Sequence, residues 1–321
     1  MSNLSNVNPR HIELLTAALR SPSAHNAQPW KIKPLADQVT YELHYDHNDY
    51  LPEDPEDRDA YLTMGAFAEN LELEAPNYGF KTKITPVFTK NGEDMYIAKV
   101  TILEDPNPVK GILNEWVPKR VTNRNHYTKQ PLTQELIEKL QEYNNVLIEP
   151  IKLKKIVMEA SMLSWANPRF VHDLDVWYRD SLDAPDGFNS KLMNISPLAT
   201  LLIKFAFWRG HFKSKTMQRL YSTRDVSMFT AAPMAAVLTA KDMKPETLFE
   251  AGRNLLRSWV IINALGYSYH PFSIAIDEKL TAPKVAAVAN VAVPVALYRV
   301  GVAKKAPEVQ SNRKSLESVL I

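Results

Sequence analysis

Apolar residues fall into two clear periods along this chain. Ile12, Leu15 and Leu19 recur at helical spacing, behind Asn8 as an N-cap and Pro9 at a first helical position. This predicts a first helix that stops at Arg20-Ser21-Pro22. Further on, Val39, Tyr41, Leu43 and Tyr45 alternate with Gln38, Thr40, Glu42 and His44, the period of a half-buried strand, with Trp30-Lys31-Ile32 ahead of it. An acidic loop spans 46–59. Residues 62–78 then read as a mostly apolar helix closed by Gly79, and strands are predicted around 80–88 and 95–103. The turn-rich stretch Asp105-Pro106-Asn107-Pro108 sets a boundary between two parts, 1–108 and 109–321.

In the second part, Thr133 caps a helix with Leu136, Ile137 and Leu140 on one face. Helical patterns continue through 155–165 and 171–181, and a helical insert is expected at about 182–224. Within it, 196–221 is apolar and basic, with Phe205, Phe207, Trp208, Arg209, His211 and Phe212. This stretch reads either as a buried helix pair or as a lid. The short apolar runs 233–240 and 292–300 predict buried strands. One echo links the two parts: Gly65 to Gly79 and Gly252 to Gly266 have the same spacing, each holds an Asn-Leu pair, and each ends in Gly-aromatic. The expected fold is α+β, with a mixed, largely antiparallel sheet in each half wrapped by helices, the halves forming an intramolecular pseudo-dimer.

Composition narrows the chemistry. The 321 residues are 45% hydrophobic and 23% charged, a globular mixture, and a net charge of +2 is too small to make nucleic acid the main partner. An anion site must therefore be local. With no cysteine, disulfides, zinc–thiolate sites, iron–sulfur clusters and thiol catalysis are excluded. Neither GxGxxG nor GxxxxGK[ST] occurs. His126, His172, His211 and His270 lack metal-ligand spacing, so no metal is expected. The first residues lack a signal pattern, and the longest apolar stretch, 198–208, is too short to cross a bilayer and carries Lys204. These features predict a cytoplasmic protein with no membrane partner.

Two segments carry candidate chemistry. The loop Ser21-Pro22-Ser23-Ala24-His25-Asn26-Ala27-Gln28-Pro29-Trp30 sits where a helix turns into a strand. It offers Ser23, Asn26 and Gln28 as short polar groups between two prolines; it also reads as a plain polar turn. In an extended Arg120-x-Thr122-x-Arg124, residues two apart share a face, so two cations flank a hydroxyl. That suits a phosphate, or a solvated basic patch.

These residues bear a family resemblance. The loop resembles the Pro-Ser-x-x-Asn-x-Gln-Pro-Trp signature of the FMN-dependent nitroreductase family. Lys119-Arg120-Val121-Thr122-Asn123-Arg124, followed by Pro131-Leu132, resembles its Arg-x-Ser-x-Arg … Pro-Val phosphate motif, with threonine in place of serine. The nearest likeness is to the single-chain, internally duplicated Acg-type branch. Typical members place the arginine motif first and bind flavin between two subunits. Here the order is reversed, which implies one flavin site shared by the two halves of one chain.

The resemblance implies specific roles. Arg120 and Thr122 would hold the FMN phosphate, and Arg124 would approach the pyrimidine edge. Pro22, Ser23, Asn26 and Gln28 would line the flavin from the other half. Tyr269, His270 and Pro271 would pass beside the reactive flavin nitrogen, and Arg313 (with Lys314 next to it) would return to the phosphate from the tail, which also reads as a solvated terminus. His25 is a proton donor or a packing residue. The flavin itself carries hydride, so no catalytic side chain is implied. The function implied is an FMN-dependent oxidoreductase, passing hydride from NAD(P)H to a nitro, quinone or similar electron-poor acceptor. Two other readings stand: a flavin-storing or sensing protein with a closed site, and a structural protein without cofactor. A monomer or a homodimer is expected.

Overall fold

The computed structural model describes residues 3–47, 54, 56–92, 94–196, 200–201, 214–307 and 309–321. Phe205, Phe207, Trp208, Arg209, His211 and Phe212, the core of the expected lid or helix pair, lie outside the described residues.

Two antiparallel sheets of four strands each form the scaffold. The first contains β1 (Trp30–Pro34), β2 (Thr40–Asp46), β3 (Phe80–Asn91) and β4 (Asp94–Glu104), in the order β1-β2-β4-β3. The second contains β5 (Asn145–Ile148), β6 (Met234–Ala240), β7 (Ser268–Pro271) and β8 (Val293–Gly301), in the order β5-β6-β8-β7. The spatial order is the same in both. The period-two alternation sets the register: Tyr41 faces Val100 and Leu43 faces Ala98, all buried. The fold is α+β, as expected.

Helices cover the sheets: α1 (Ile12–Ala18), α2 (Arg58–Glu74), α3 (Ile112–Trp116), α4 (Gln134–Glu142), α5 (Pro150–Ala166), α6 (Pro168–Trp177), α7 (Lys215–Thr230) and α8 (Pro245–Ala264). Asn8 accepts from the Arg10 N–H at the start of the helical turn Pro9–His11 that leads into α1, and Thr133 accepts from Leu136 N–H at the start of α4. No described helix is long and apolar enough to cross a membrane.

Two helices organise the centre. In each half, one long helix connects the second strand to the third: α2 in the first, α8 in the second. Each connection is closed by a left-handed glycine, Gly79 at φ 80° and Gly266 at φ 79°. The helices cross where Gly65 meets the backbone of Phe249 and Gly252 meets that of Leu62. Beside the crossing, the buried carboxylate of Glu69 is clamped by Arg253 and Arg257, each at 2.7 Å. One apolar core continues from Leu71 and Val100 to Ile262 and Tyr298, so both halves share it.

Some expectations need correction. Residues 178–196 are turns and extended chain, whereas a helical insert was expected from about 182. Pro185-Asp186-Gly187 and the positive φ values of Gly187 and Asn194 favour turns there. The expected 171–181 helix ends earlier, at Trp177. The short strands β5 and β7 carry no strong alternation and are not apparent from the pattern.

Candidate functional site

The site is assembled from three chain segments that meet beside β7. The first is the loop between α1 and β1. His25, Asn26 and Gln28 all adopt left-handed backbone, at φ 51°, 59° and 56°. Such conformations cost non-glycine residues free energy and persist only where the surroundings enforce them. Here they are enforced by hydrogen bonds. Ser23 Oγ accepts from Gln28 N–H at 3.0 Å, and Asn26 Nδ2 donates to the Asn312 carbonyl at 3.2 Å. The fully buried Gln28 side chain donates to the carbonyls of Asn26 (3.2 Å) and Pro185 (2.7 Å), and accepts from Lys314 N–H at 2.8 Å.

The second segment is 120–124, extended beside β7 with Asn123 N–H donating to the Tyr269 carbonyl at 3.1 Å. Arg120 Nη1 donates to Tyr269 Oη at 2.6 Å, and Thr122 Oγ1 lies 3.3 Å from the same oxygen. Tyr269 is itself fixed by stacking on Trp259, with centroids 4.6 Å apart. The third segment is the tail. Arg313 Nη2 and Arg120 Nη2 both donate to the Arg20 carbonyl, at 3.2 and 3.0 Å.

These segments enclose a cavity of about 320 Å³. That is within the range of small-molecule and cofactor sites. Pro22, Ser23, His25, Asn26, Arg120, Thr122, Arg124, His270, Pro271 and Arg313 all line it. Gln28 and Tyr269 do not. Gln28 ties the loop to its neighbours from behind, and Tyr269 supports Arg120 and Thr122 from beneath. Lys314 contributes its backbone N–H to Gln28 and is not part of the wall.

Charge decides what this cavity can hold. Arg20, Arg120, Arg124, Lys191 and Arg313 line it, and no carboxylate does so among the described residues. The Nε atoms of Arg120, Arg124 and Arg313 are buried without a hydrogen-bond partner. Such groups are costly unless a ligand answers them. Burial, then the proximity of Arg120 and Arg20, pulls the Arg313 guanidinium down to about 9. Burial likewise lowers Arg124. His25 is held at about 4 by burial and then by Arg124, so it is neutral near pH 7. An anion rich in oxygen acceptors would relieve these strains together. A ligand with a phosphate at one end and a hydrogen-bonding ring at the other, such as FMN, fits this donor set.

Sequence reasoning missed one wall. The strap 178–194, following α6, crosses the cavity and supplies Gly187, Phe188, Leu192 and Asn194. Arg124 Nη1 donates to the Leu192 carbonyl at 3.3 Å, Asn312 Nδ2 to the Leu182 carbonyl at 2.8 Å, and Asn194 Nδ2 to Asn125 Oδ1 at 3.1 Å. The Phe188 ring packs 5.2 Å from that of His25. The contacts of Leu192 and Leu182, and that of Pro185 with Gln28, use strap backbone, which leaves no side-chain signature. Arg20 was also missed, although its place just ahead of the loop was a usable signal. Among the described residues, no group of three or more His, Asp or Glu side chains could hold a metal.

No protein-family model and no curated protein matches the chain. Solved structures resemble it at low identity. The FMN and NADPH-dependent nitroreductase NfnB from Sphigopyxis sp. strain HMH matches at 13% identity and TM-score 0.39, over 64% of this chain and 96% of that one. The FMN-dependent nitroreductase NfnB from Mycobacterium smegmatis, in complex with NADPH, matches at 15% and 0.39 over the same shares, 64% and 96%. A candidate nitroreductase from Anabaena variabilis matches at 11% and 0.45, over 92% of this chain and 73% of that one.

Proposed function

We propose that this cavity binds FMN and that the chain is an FMN-dependent oxidoreductase of the nitroreductase type. The observation that carries this reading is the convergence of Arg120, Arg124 and Arg313, each with an unpartnered buried Nε, on a cavity without a carboxylate among its described lining. In this reading Arg20, Arg120, Thr122 and Arg313 hold the phosphate, and Arg124 faces the pyrimidine edge. Pro22, Ser23, His25 and Asn26 shape the opposite wall, with Gln28 and Tyr269 fixing those walls from behind. His270 and Pro271 border the ring system.

FMN, when bound, would supply two-electron redox chemistry between NAD(P)H and a nitro, quinone or similar electron-poor acceptor. The protein's part is to bind, orient and exclude water. Cations at the pyrimidine edge favour negative charge there. The shared strand order of the two sheets supports reading 1–108 and 109–321 as related halves of a pseudo-dimer, as in the Acg-type branch that the motifs resemble.

A second reading has its own observation. The strap ties down over the cavity through contacts with Arg124, Gln28 and Asn312. A strap that stays closed would make this a protein that stores or senses flavin with little turnover.

Titration of the purified protein with FMN, followed by anaerobic NADPH and NADH, tests both readings. Saturable FMN binding supports the site. Bleaching of the bound flavin by reduced nicotinamide supports the reductase, and persistent colour in excess of both nicotinamides supports storage. A protein that takes up no FMN refutes both.

A further inference from the structure

Arg299 on β8 stands directly opposite His270 on β7. Its side chain is fully buried, and the acceptors it meets are uncharged. Nε donates to His270 Nδ1 at 3.2 Å. Nη1 donates to the Met228 carbonyl at 2.6 Å, and Nη2 to the carbonyls of Arg124 (3.3 Å) and Asn125 (2.8 Å). The Tyr127 ring lies 4.2 Å from Cζ. Met228 belongs to the last turn of α7, where the helix end carries partial negative charge that favours a cation. Burial, eased by Tyr127, leaves the guanidinium lowered to about 10 and still charged near neutral pH.

A guanidinium only donates hydrogen bonds. Nδ1 of His270 must therefore present its lone pair to Arg299, and a neutral His270 carries its proton on Nε2. The ring is kept neutral by burial, then by the nearby charges of Arg124, Arg299 and Arg224, which hold it well below the ordinary histidine range. His270 lines the cavity, and its Nε2 makes no hydrogen bond among the described residues. A histidine present only to fill space would be served by either tautomer. A buried, carboxylate-free arginine is an expensive way to choose one.

We propose that Arg299 locks His270 as the Nε2–H tautomer, a fixed uncharged donor on the cavity wall that hydrogen-bonds a carbonyl or ring-nitrogen acceptor of the bound planar ligand. Arg299 is then a positioning residue with two duties, because the same guanidinium also holds the carbonyls of Arg124 and Asn125. In a cavity already rich in arginine, an uncharged donor adds a directional contact without further like-charge repulsion. The identity of the ligand as FMN rests on the function proposed above; the tautomer does not.

Long-range proton–nitrogen correlation spectra of the ligand-free protein, recorded from pH 5 to 8, test the tautomer. The expected result is a neutral His270 with its proton on Nε2 throughout. A proton on Nδ1, or an imidazolium at pH 6, overturns the proposal. Arg299→Lys, whose ammonium also only donates, should keep the tautomer, and Arg299→Met should release it; if neither variant folds, the wild-type spectrum decides. FMN titration of His270→Leu should show roughly tenfold weaker binding and a shifted flavin absorption band, with His270→Gln restoring most of both. Unchanged affinity and band in His270→Leu would remove the ligand contact and leave the FMN reading standing. A wild-type protein that takes up no FMN would sink that reading alone, because the tautomer is measured without ligand.

Discussion

Gly65 and Gly252 occupy equivalent places on two crossing helices, and each admits the other helix's backbone where a side chain would stand. A Cβ on Gly65 would run into the Phe249 carbonyl, and a Cβ on Gly252 into that of Leu62. Since neither obstacle is a flexible side chain, the helices must move apart. Gly65→Ala and Gly252→Ala should each destabilise the protein by about 3 kcal/mol or prevent folding. Denaturant unfolding checks this, and a loss under about 0.5 kcal/mol, the range of neutral surface changes, would show that the crossing is not tight.

Gln28 joins the loop, the strap and the tail with one buried amide. Gln28→Leu should remove the buried amide that meets the Pro185 carbonyl and the Lys314 N–H, at a cost of about 2–3 kcal/mol. Proteolysis should then cut near 185 and in the tail well before the sheets unfold. Unaltered cleavage kinetics would mean that the strap is held by its other contacts.

Arg120 and Arg313 meet at the Arg20 carbonyl on the cavity wall. Arg120→Ala removes a buried cation that contacts Tyr269 and the Arg20 carbonyl, and should weaken FMN binding by a few kcal/mol. Arg313→Gln removes a cation that Arg120 and Arg20 repel, together with its hydrogen bonds to the carbonyls of Arg20, Ser21, Ser311 and Asn312, so it should weaken FMN binding more than it changes the stability of the ligand-free protein. Equilibrium dialysis with FMN and thermal melts of the same samples check the pair. Wild-type affinity in Arg120→Ala would refute its place at the phosphate.

A carboxylate group near the loop predicts a pH effect. Burial and then Asp59 raise Asp54 to about 7, and burial raises Asp277, which Arg58 joins to Asp59. A carboxyl whose folded pKa is raised binds more protons folded than unfolded between the two values. Stability from these groups is therefore full below about pH 4 and lost as pH rises towards 7. Asp54→Asn should flatten the stability profile between pH 5 and 8 and raise stability at pH 8, since an amide oxygen can still accept from Ala60 N–H. An unchanged profile in guanidinium melts would contradict the raised pKa.

Gly187 lies at φ 70°, and a Cβ there would meet the Trp177 carbonyl. Gly187→Ala should lift the strap, also loosening its N–H contact with the Asn26 carbonyl. Faster FMN release and faster reduction by NADPH are expected in stopped-flow traces. Faster release without faster reduction would point to storage.

Much of this was legible from residue pattern. The alternation at Val39 to Tyr45, the apolar helix ending at Gly79 and the runs at 233–240 and 292–300 all fall on observed elements. The echo of Gly65–Gly79 in Gly252–Gly266 falls on the two central helices, although the Asn-Leu pairs inside it do different work: Asn70 holds the end of α1, while Asn254 accepts from Arg257. The loop and Arg120-x-Thr122-x-Arg124 do reach one cavity. The strap was hard to read, because its contacts with Arg124, Gln28 and Asn312 use backbone carbonyls that any sequence possesses. Arg299 was hidden in an apolar run as a lone polar interruption, and only strand pairing shows that it faces His270.

The described walls of the cavity, from residues 20–26, 117–125 and 270–271, the strap and the tail, all belong to one polypeptide. Assembly of the site is therefore first order in protein. Dilution dissolves a pocket built between separate subunits; with every described wall in one chain, ligand affinity should be independent of protein concentration down to the detection limit.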